Sequence, residues 1–317
     1  MGRRAVTIGL VNNMSDEALK VTERQFRDLI GASAGDDDVE LRLFAFTRTA
    51  RSPRALDYIS ARYEPVSAAM NGDLDALIIT GAQPRTALRN EDYWPELTEI
   101  IDWAKRHTAS TIFSCLAAHA AVLHLDGVER RRLPEKCTGA FVFSAQREHP
   151  LSGERGSVRI IPHSRYNGLL RSDLERAGYE ILTSSPAHGV DMFIKSFGSQ
   201  FVFLQGHPEY DANSLAREYR RDMGQYLRGE TDRLPTRPKG YFDAAAEAEL
   251  DALALRASQD RSSAPIEELS RIETLAPRQA EWRDAATSFY RNWINSLAPS
   301  LTLAPEPTLL TVEAGTP

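Results

Sequence analysis

Ser110-Thr-Ile-Phe-Ser114 runs without a break into Cys115 and then Leu116-Ala-Ala-His-Ala-Ala-Val-Leu123. The first five residues read as a short buried strand, and the Ala- and Leu-rich run after the cysteine reads as a helix. A nucleophile on a sharp strand-to-helix turn is exposed at the sheet edge, with backbone N–H groups at the helix start facing an oxyanion. The same helix start favours the thiolate, the form that attacks. A lone cysteine packed as a small hydrophobe is the commoner case. The elbow alone therefore does not decide the matter.

A second stretch tips the balance. Gln200-Phe-Val-Phe-Leu-Gln-Gly206 reads as another buried strand, followed by His207-Pro-Glu209-Tyr-Asp211. Pro208 ends the strand and places the His207 and Glu209 side chains together beside the carboxyl edge of the sheet. That supplies a general base and a carboxylate to orient it, as a Cys–His dyad requires.

Working outward, Ala5–Asn12, Asp38–Phe46 and Leu74–Thr80 read as further strands, the last entering a Gly81-Ala82 turn open to close backbone approach. Amphipathic helices are expected over Ala18–Ile30, Trp94–His107, Ala212–Arg228, 243–257 and Trp282–Leu297. Strands alternating with helices predict an α/β fold: a mostly parallel sheet with helices on both faces and its ligand site at the carboxyl strand ends. Gly81, Cys115 and His207 all follow such ends. Asp126–Gly168, with its prolines and glycines, reads as irregular, and short strands follow at Tyr179–Thr183 and Val190–Ser196. The organisation expected is a core over 1–230, a linker (231–240) with C-terminal helices packing on the core to 297, and a disordered Pro/Thr-rich tail over 298–317.

Composition narrows the function. The 317 residues suffice for a real core, and the net charge of −6 with no basic stripe argues against nucleic acid as partner. No apolar run reaches membrane-spanning length, and Met1-Gly-Arg-Arg leads straight into a strand rather than a signal-peptide core. A cytoplasmic protein is expected. The 2 cysteines, Cys115 and Cys137, suit a reducing compartment and predict neither a disulfide nor a metal site. No glycine-rich phosphate loop is present.

Several motifs together resemble the homoserine O-acyltransferases, the succinyl- and acetyltransferases that share the class I glutamine amidotransferase-like, flavodoxin-like fold. They are Ile79-Thr-Gly-Ala82, Tyr93-Trp94, the Cys115 elbow, Lys136, Pro162-His-Ser-Arg165, Gly206-His-Pro-Glu-Tyr-Asp211, Glu218 with Arg221-Asp222, and Asn292-Trp293. The resemblance implies Cys115 as acyl-accepting nucleophile, His207 as base and Glu209 as its orienting partner. It further implies Arg221 as the residue that pairs with the acceptor's α-carboxylate, a task suited to a planar guanidinium. Lys136 and Ser164 are implied as further substrate contacts, and the N–H groups of Leu116 and Arg85 as the oxyanion hole. It implies acyl-CoA as co-substrate, no bound cofactor, L-homoserine as acceptor, a place in methionine biosynthesis and a homodimer.

The sequence departs from that pattern in two places. Ser15-Asp-Glu-Ala-Leu-Lys20 stands where the family has Pro-Lys-Lys, and Arg85 occupies a loop position that is small in succinyl enzymes and acidic in acetyl enzymes. An arginine there either pairs with a succinyl carboxylate or narrows the pocket, so both acyl groups stay open, as does serine in place of homoserine. A glutamine amidotransferase-like hydrolase is the rival enzyme reading, and a catalytically silent binding module the rival from another class.

Overall fold

The computed structural model describes residues 5–35, 38–81, 84–261, 268–277 and 279–297. Its strands are β1 (Val6–Val11), β2 (Val39–Ala45), β3 (Glu64–Pro65), β4 (Ala76–Ile79), β5 (Ser110–Ser114), β6 (Arg131–Ala145), β7 (Val158–Gly168), β8 (Glu180–Ile181), β9 (Thr183–Ser185), β10 (Gly189–Val190), β11 (Met192–Ser196) and β12 (Gln200–Leu204). Its helices are α1 (Asp16–Ala34), α2 (Pro53–Ser60), α3 (Val66–Ala69), α4 (Trp94–His107), α5 (Leu116–Asp126), α6 (Arg171–Arg176), α7 (Ser214–Leu227), α8 (Ala244–Gln259), α9 (Leu269–Thr274) and α10 (Arg283–Leu297).

The main sheet has the order β3-β2-β1-β4-β5-β12-β11-β8. It is parallel from β3 through β12, and β11 then runs antiparallel to both of its neighbours. The continuous apolar runs of β1, β4, β5 and β12 follow from burial on both faces. One face packs against α4 and α5 through Phe113, Ile100 and Ala121, among others. The other packs against α1 and α10 through Ile8, Phe26 and Trp293. Across β5, β12 and β11 the in-register Phe113, Phe203 and Phe193 stack with centroids 5.0 and 4.9 Å apart. Each such pair adds about 0.5–1.5 kcal/mol beyond area burial and fixes the strand that delivers His207.

The stretch expected to be irregular is the main correction. Asp126–Gly168 contains β6 and β7, long antiparallel strands of a second sheet ordered β10-β9-β6-β7. The misleading residues have structural places. Pro162 sits within β7 opposite Ala140, and its carbonyl accepts the His207 N–H at 2.8 Å. Gly139 has φ 148 and admits the backbone of Lys239 so closely that a Cβ would strike it. The segment over 231–240 is irregular, yet Lys239 is pinned to β6: its N–H donates to Thr138 O and its carbonyl accepts from Ala140 N, both 3.0 Å.

α7, α8 and α9 share a separate apolar cluster with Tyr210, Tyr241 and Trp282. α8 starts where the Asp243 side chain accepts from the Ala246 N–H at 2.8 Å, a regular N-cap. α10 lies along α1, with Trp293 Nε1 donating to Ser110 Oγ at 2.9 Å. The tail expected over 298–317 lies outside the described residues. No described helix is long and apolar enough to cross a membrane.

Candidate active site

Cys115 stands between β5 and α5 with φ 52 and ψ −110, the one positive-φ non-glycine among the described residues. Holding an L-residue there costs on the order of 1–3 kcal/mol and needs surroundings that enforce it. Two contacts do so. The Cys115 N–H donates to Leu204 O at 2.7 Å, tying the elbow to the end of β12. Gly81 lies against the start of α5, where an added Cβ would sit 2.9 Å from Ala117 N. Glycine is required for that approach, in line with the turn read from sequence.

His207 follows β12 and is buried, as is Glu209. Its Nδ1 is 2.8 Å from Glu209 Oε1, which leaves Nε2 free of that carboxylate, and the ring is in electrostatic reach of Cys115. The ring stacks on Tyr210 with centroids 4.2 Å apart. Burial alone would depress the imidazolium. Attraction to Cys115 and Glu209 outweighs it, and the pKa stands well above the ordinary histidine value. The structure thus brings together a cysteine, a histidine and a carboxylate in the sequence that a nucleophile, base and orienting group would need.

Gly206 abuts a second buried pair. His163 Nε2 lies 3.3 Å from Asp191 Oδ1, and Asp191 also accepts from the Gly206 N–H at 2.9 Å and from Thr183 Oγ1 at 3.1 Å. His163 Nδ1 accepts from Arg165 Nε at 3.2 Å, so the proton resides on Nε2. Burial pushes His163 down to about 4, against the pull of Asp191. In the structure it is a fully buried, neutral part of β7. His119 of α5 is likewise buried: it bonds Gln205 Oε1 at 2.9 Å, and burial pushes it down to about 3.

Lys136 on β6, Ser164 on β7 and Arg221 on α7 meet in one charged cluster. Lys136 Nζ lies 2.6 Å from Asp222 and 3.7 Å from Glu218. Arg221 pairs with Asp222 at 2.8 Å, its side chain 53 % exposed. Ser164 Oγ donates to Glu218 Oε2, and Tyr210 OH donates to Oε1 at 2.5 Å. Burial would raise Glu218, but Lys136 and Arg221 more than offset it and keep the carboxylate below its usual range. Tyr210 joins the two constellations, stacking on His207 while bonding Glu218.

Glu218, Tyr210 and Asp191 were not singled out as site residues from sequence. Glu218 had a readable signal, since it stands one helical turn before Asp222 on α7 and presents two carboxylates on one face. Leu116 heads α5. Arg85 is exposed in the loop after β4, and part of that loop lies outside the described residues. Cys137 is not in an irregular segment but on β6, where burial pushes its thiol up, away from the reactive form. Among the described residues no group of three or more His, Cys, Asp or Glu is disposed to hold a metal ion.

The fold resembles a glutamine amidotransferase of known structure from Thermotoga maritima, with a TM-score of 0.50 at 12% identity over 93% of this chain and 99% of that one. At that identity the likeness concerns the fold alone. In sequence, the chain is 48% identical to a homoserine O-succinyltransferase of Rhodopseudomonas palustris over 93% of this chain and 89% of the relative. It is 44% identical to one of Methylorubrum extorquens over 95% and 90%. The family model described as homoserine O-succinyltransferase matches residues 2–301. With its elbow, its His–Glu pair and near full-length similarity, the chain belongs to the homoserine O-succinyltransferase family.

Proposed function

We propose that the protein transfers an acyl group from acyl-CoA to the γ-hydroxyl of L-homoserine through an acyl-enzyme on Cys115. The observation that carries this reading is the strained elbow cysteine in electrostatic reach of a buried His207 that is held by Glu209. Family membership supplies the acceptor. The Cys115 thiolate attacks the thioester carbonyl, and the N–H groups of Leu116 and Arg85 receive the developing oxyanion. Collapse breaks the C–S bond to CoA, whose thiolate takes its proton from His207. His207, now neutral, removes the proton of the homoserine hydroxyl as the oxygen attacks the acyl-enzyme. Cys115 leaves as thiolate, His207 keeps the proton, and the O-acyl ester departs. Two half-reactions of this kind give ping-pong kinetics.

Arg221 and Lys136 then serve the acceptor's α-carboxylate, while Ser164 and Glu218 contact its ammonium end. We further propose a cytoplasmic homodimer in methionine biosynthesis that needs no bound cofactor. Serine as acceptor and glutamine hydrolysis are the competing outcomes. Intact-mass spectrometry after mixing with acyl-CoA is the test. An acyl increment on Cys115 that homoserine discharges as an ester supports the reading. Discharge by serine alone, or glutamine hydrolysis without any increment, would replace it.

A further inference from the structure

His207 engages only one oxygen of Glu209. The other, Oε2, is buried and has no hydrogen-bond partner among the described residues. A bare carboxylate oxygen away from water is costly, and buried polar atoms as a rule find a donor. Neither the triad nor the charged cluster beside it supplies one. Among the described residues one other buried side-chain oxygen is likewise unpartnered, the hydroxyl of Tyr290. The first atom can only accept, and the second can donate.

The two come from segments packed on each other. Tyr290 lies on α10, on the side that carries Ala286 and Phe289 and continues from Trp282. Trp282 Nε1 donates to the Tyr210 carbonyl at 2.8 Å, and Trp282, Ala286 and Phe289 line one small cavity together with Pro208. Glu209 stands between those two contacted residues. A third element closes the triangle. On α1, Phe26 meets the Tyr290 ring edge-on with centroids 6.4 Å apart, while Gln25 donates to Ser214 Oγ at 2.9 Å and to Asp211 at 3.2 Å, just past Glu209. Burial lifts the Tyr290 phenol well above its usual pKa, and the Glu209 charge lifts it further, so the hydroxyl keeps its proton at neutral pH.

We propose that the Tyr290 hydroxyl donates to Glu209 Oε2 and so acts as a positioning residue, fixing the carboxylate whose other oxygen holds His207. This rests on the acyl-transfer reading above and adds the residue behind Glu209. With both oxygens held, the carboxylate cannot swing away from Nδ1, and the imidazolium that supports the Cys115 thiolate keeps its partner. Phenylalanine in place of Tyr290 fills the same space but leaves Oε2 bare.

Tyr290→Phe, made in the wild type and in Glu209→Ala, tests it. Two rates are read: single-turnover acylation from acyl-CoA, and alkylation of Cys115 by iodoacetamide at a pH where its thiolate is partly formed. The second needs no substrate. In the wild type the change should slow both rates roughly three- to ten-fold, as loss of one hydrogen bond acting through Glu209 would. In Glu209→Ala it should change them by less than about two-fold, because the partner is already gone. Thermal unfolding of the single variant gives a reading independent of the double one. Tyr290→Phe should lower the melting temperature if it strips Oε2 of its donor, whereas removing a hydroxyl that bonds nothing would keep or raise it. Equal slowing in both backgrounds would make Tyr290 a packing residue. No slowing, or a melting temperature that does not fall, would disconnect its hydroxyl from Glu209. Each of these results overturns the assignment. A wild type whose Cys115 is alkylated yet gains no adduct from any acyl-CoA would instead sink the acyl-transfer reading, with the alkylation arm still deciding Tyr290.

Discussion

The triad and the charged cluster beside it are held by different kinds of force. Cys115 and His207 owe their positions to backbone: a strained elbow, a Leu204 carbonyl, a Pro162 carbonyl and a phenylalanine ladder. Lys136, Ser164, Glu218, Arg221 and Asp222 owe theirs to one another, through ion pairs and hydrogen bonds among side chains. Backbone positioning allows little adjustment and suits bond-making atoms. A mutually neutralised cluster can exchange one of its carboxylates for that of a substrate at small net cost. Damage to the first half should therefore appear in rate, and damage to the second in affinity.

The largest effect tests the first half. Cys115→Ala should abolish transfer and adduct formation, whereas Cys137→Ser should be near normal. His207→Asn should lower turnover roughly 10²- to 10⁴-fold, with Glu209→Gln milder, since it orients and does not transfer protons. An active Cys115→Ala with an inactive Cys137→Ser would move the nucleophile to β6.

Arg221→Lys should show the opposite signature. The acceptor KM should rise about 10- to 100-fold, with acyl-enzyme formation from acyl-CoA nearly intact. Equal losses in both half-reactions would mean that the cluster also holds the triad in place and that the two halves are not separable.

A smaller effect concerns strain. If the elbow imposes φ 52 on residue 115, Cys115→Gly should be more stable than Cys115→Ala by about 1 kcal/mol in urea unfolding, although glycine ordinarily weakens a chain. The reverse order would mean that the elbow relaxes when the sulfur is removed.

A last effect is confined to acid. His163 has a folded pKa of about 4 against an ordinary 6.5, so its contribution is complete above 6.5 and falls away as pH drops toward 4. His163→Gln should be less stable at neutral pH, yet lose less stability between those limits. Parallel losses in variant and wild type would show that His163 does not titrate with unfolding.

The same division explains what the sequence disclosed. Cys115, His207 and Glu209 lie at strand ends marked by apolar runs, a helix start and a proline, all local signals. Lys136 and Ser164 lie on strands whose period was hidden: Pro134, Gly139 and Pro162 each read as a break, and pairing shifts register between Arg132 and Cys137. Only the neighbouring strand and the Lys239 backbone show why those residues are tolerated. Asp191 gave no local signal at all, because its partners, Gly206, Thr183 and His163, come from three separate segments. Family resemblance implied roles for Lys136, Ser164 and Arg221, and geometry shows that the three share one cluster. It did not supply the network that joins them to His207 through Tyr210.

The hydrogen bond from the His207 N–H to the Pro162 carbonyl has a consequence for anyone who would re-engineer the enzyme. Pro162 lies two residues from Ser164 on the same strand, so on the proposed mechanism one strand would both contact substrate and support the backbone of the general base. The second sheet is therefore not a cassette. Grafting a β6–β7 hairpin from a relative to change the acceptor would retune the base at the same stroke, and a transplant chosen for specificity alone should arrive with a turnover defect. Directed evolution toward a new acceptor should accordingly find its first productive changes on α7, which contributes Glu218 and Arg221 without holding the base's main chain.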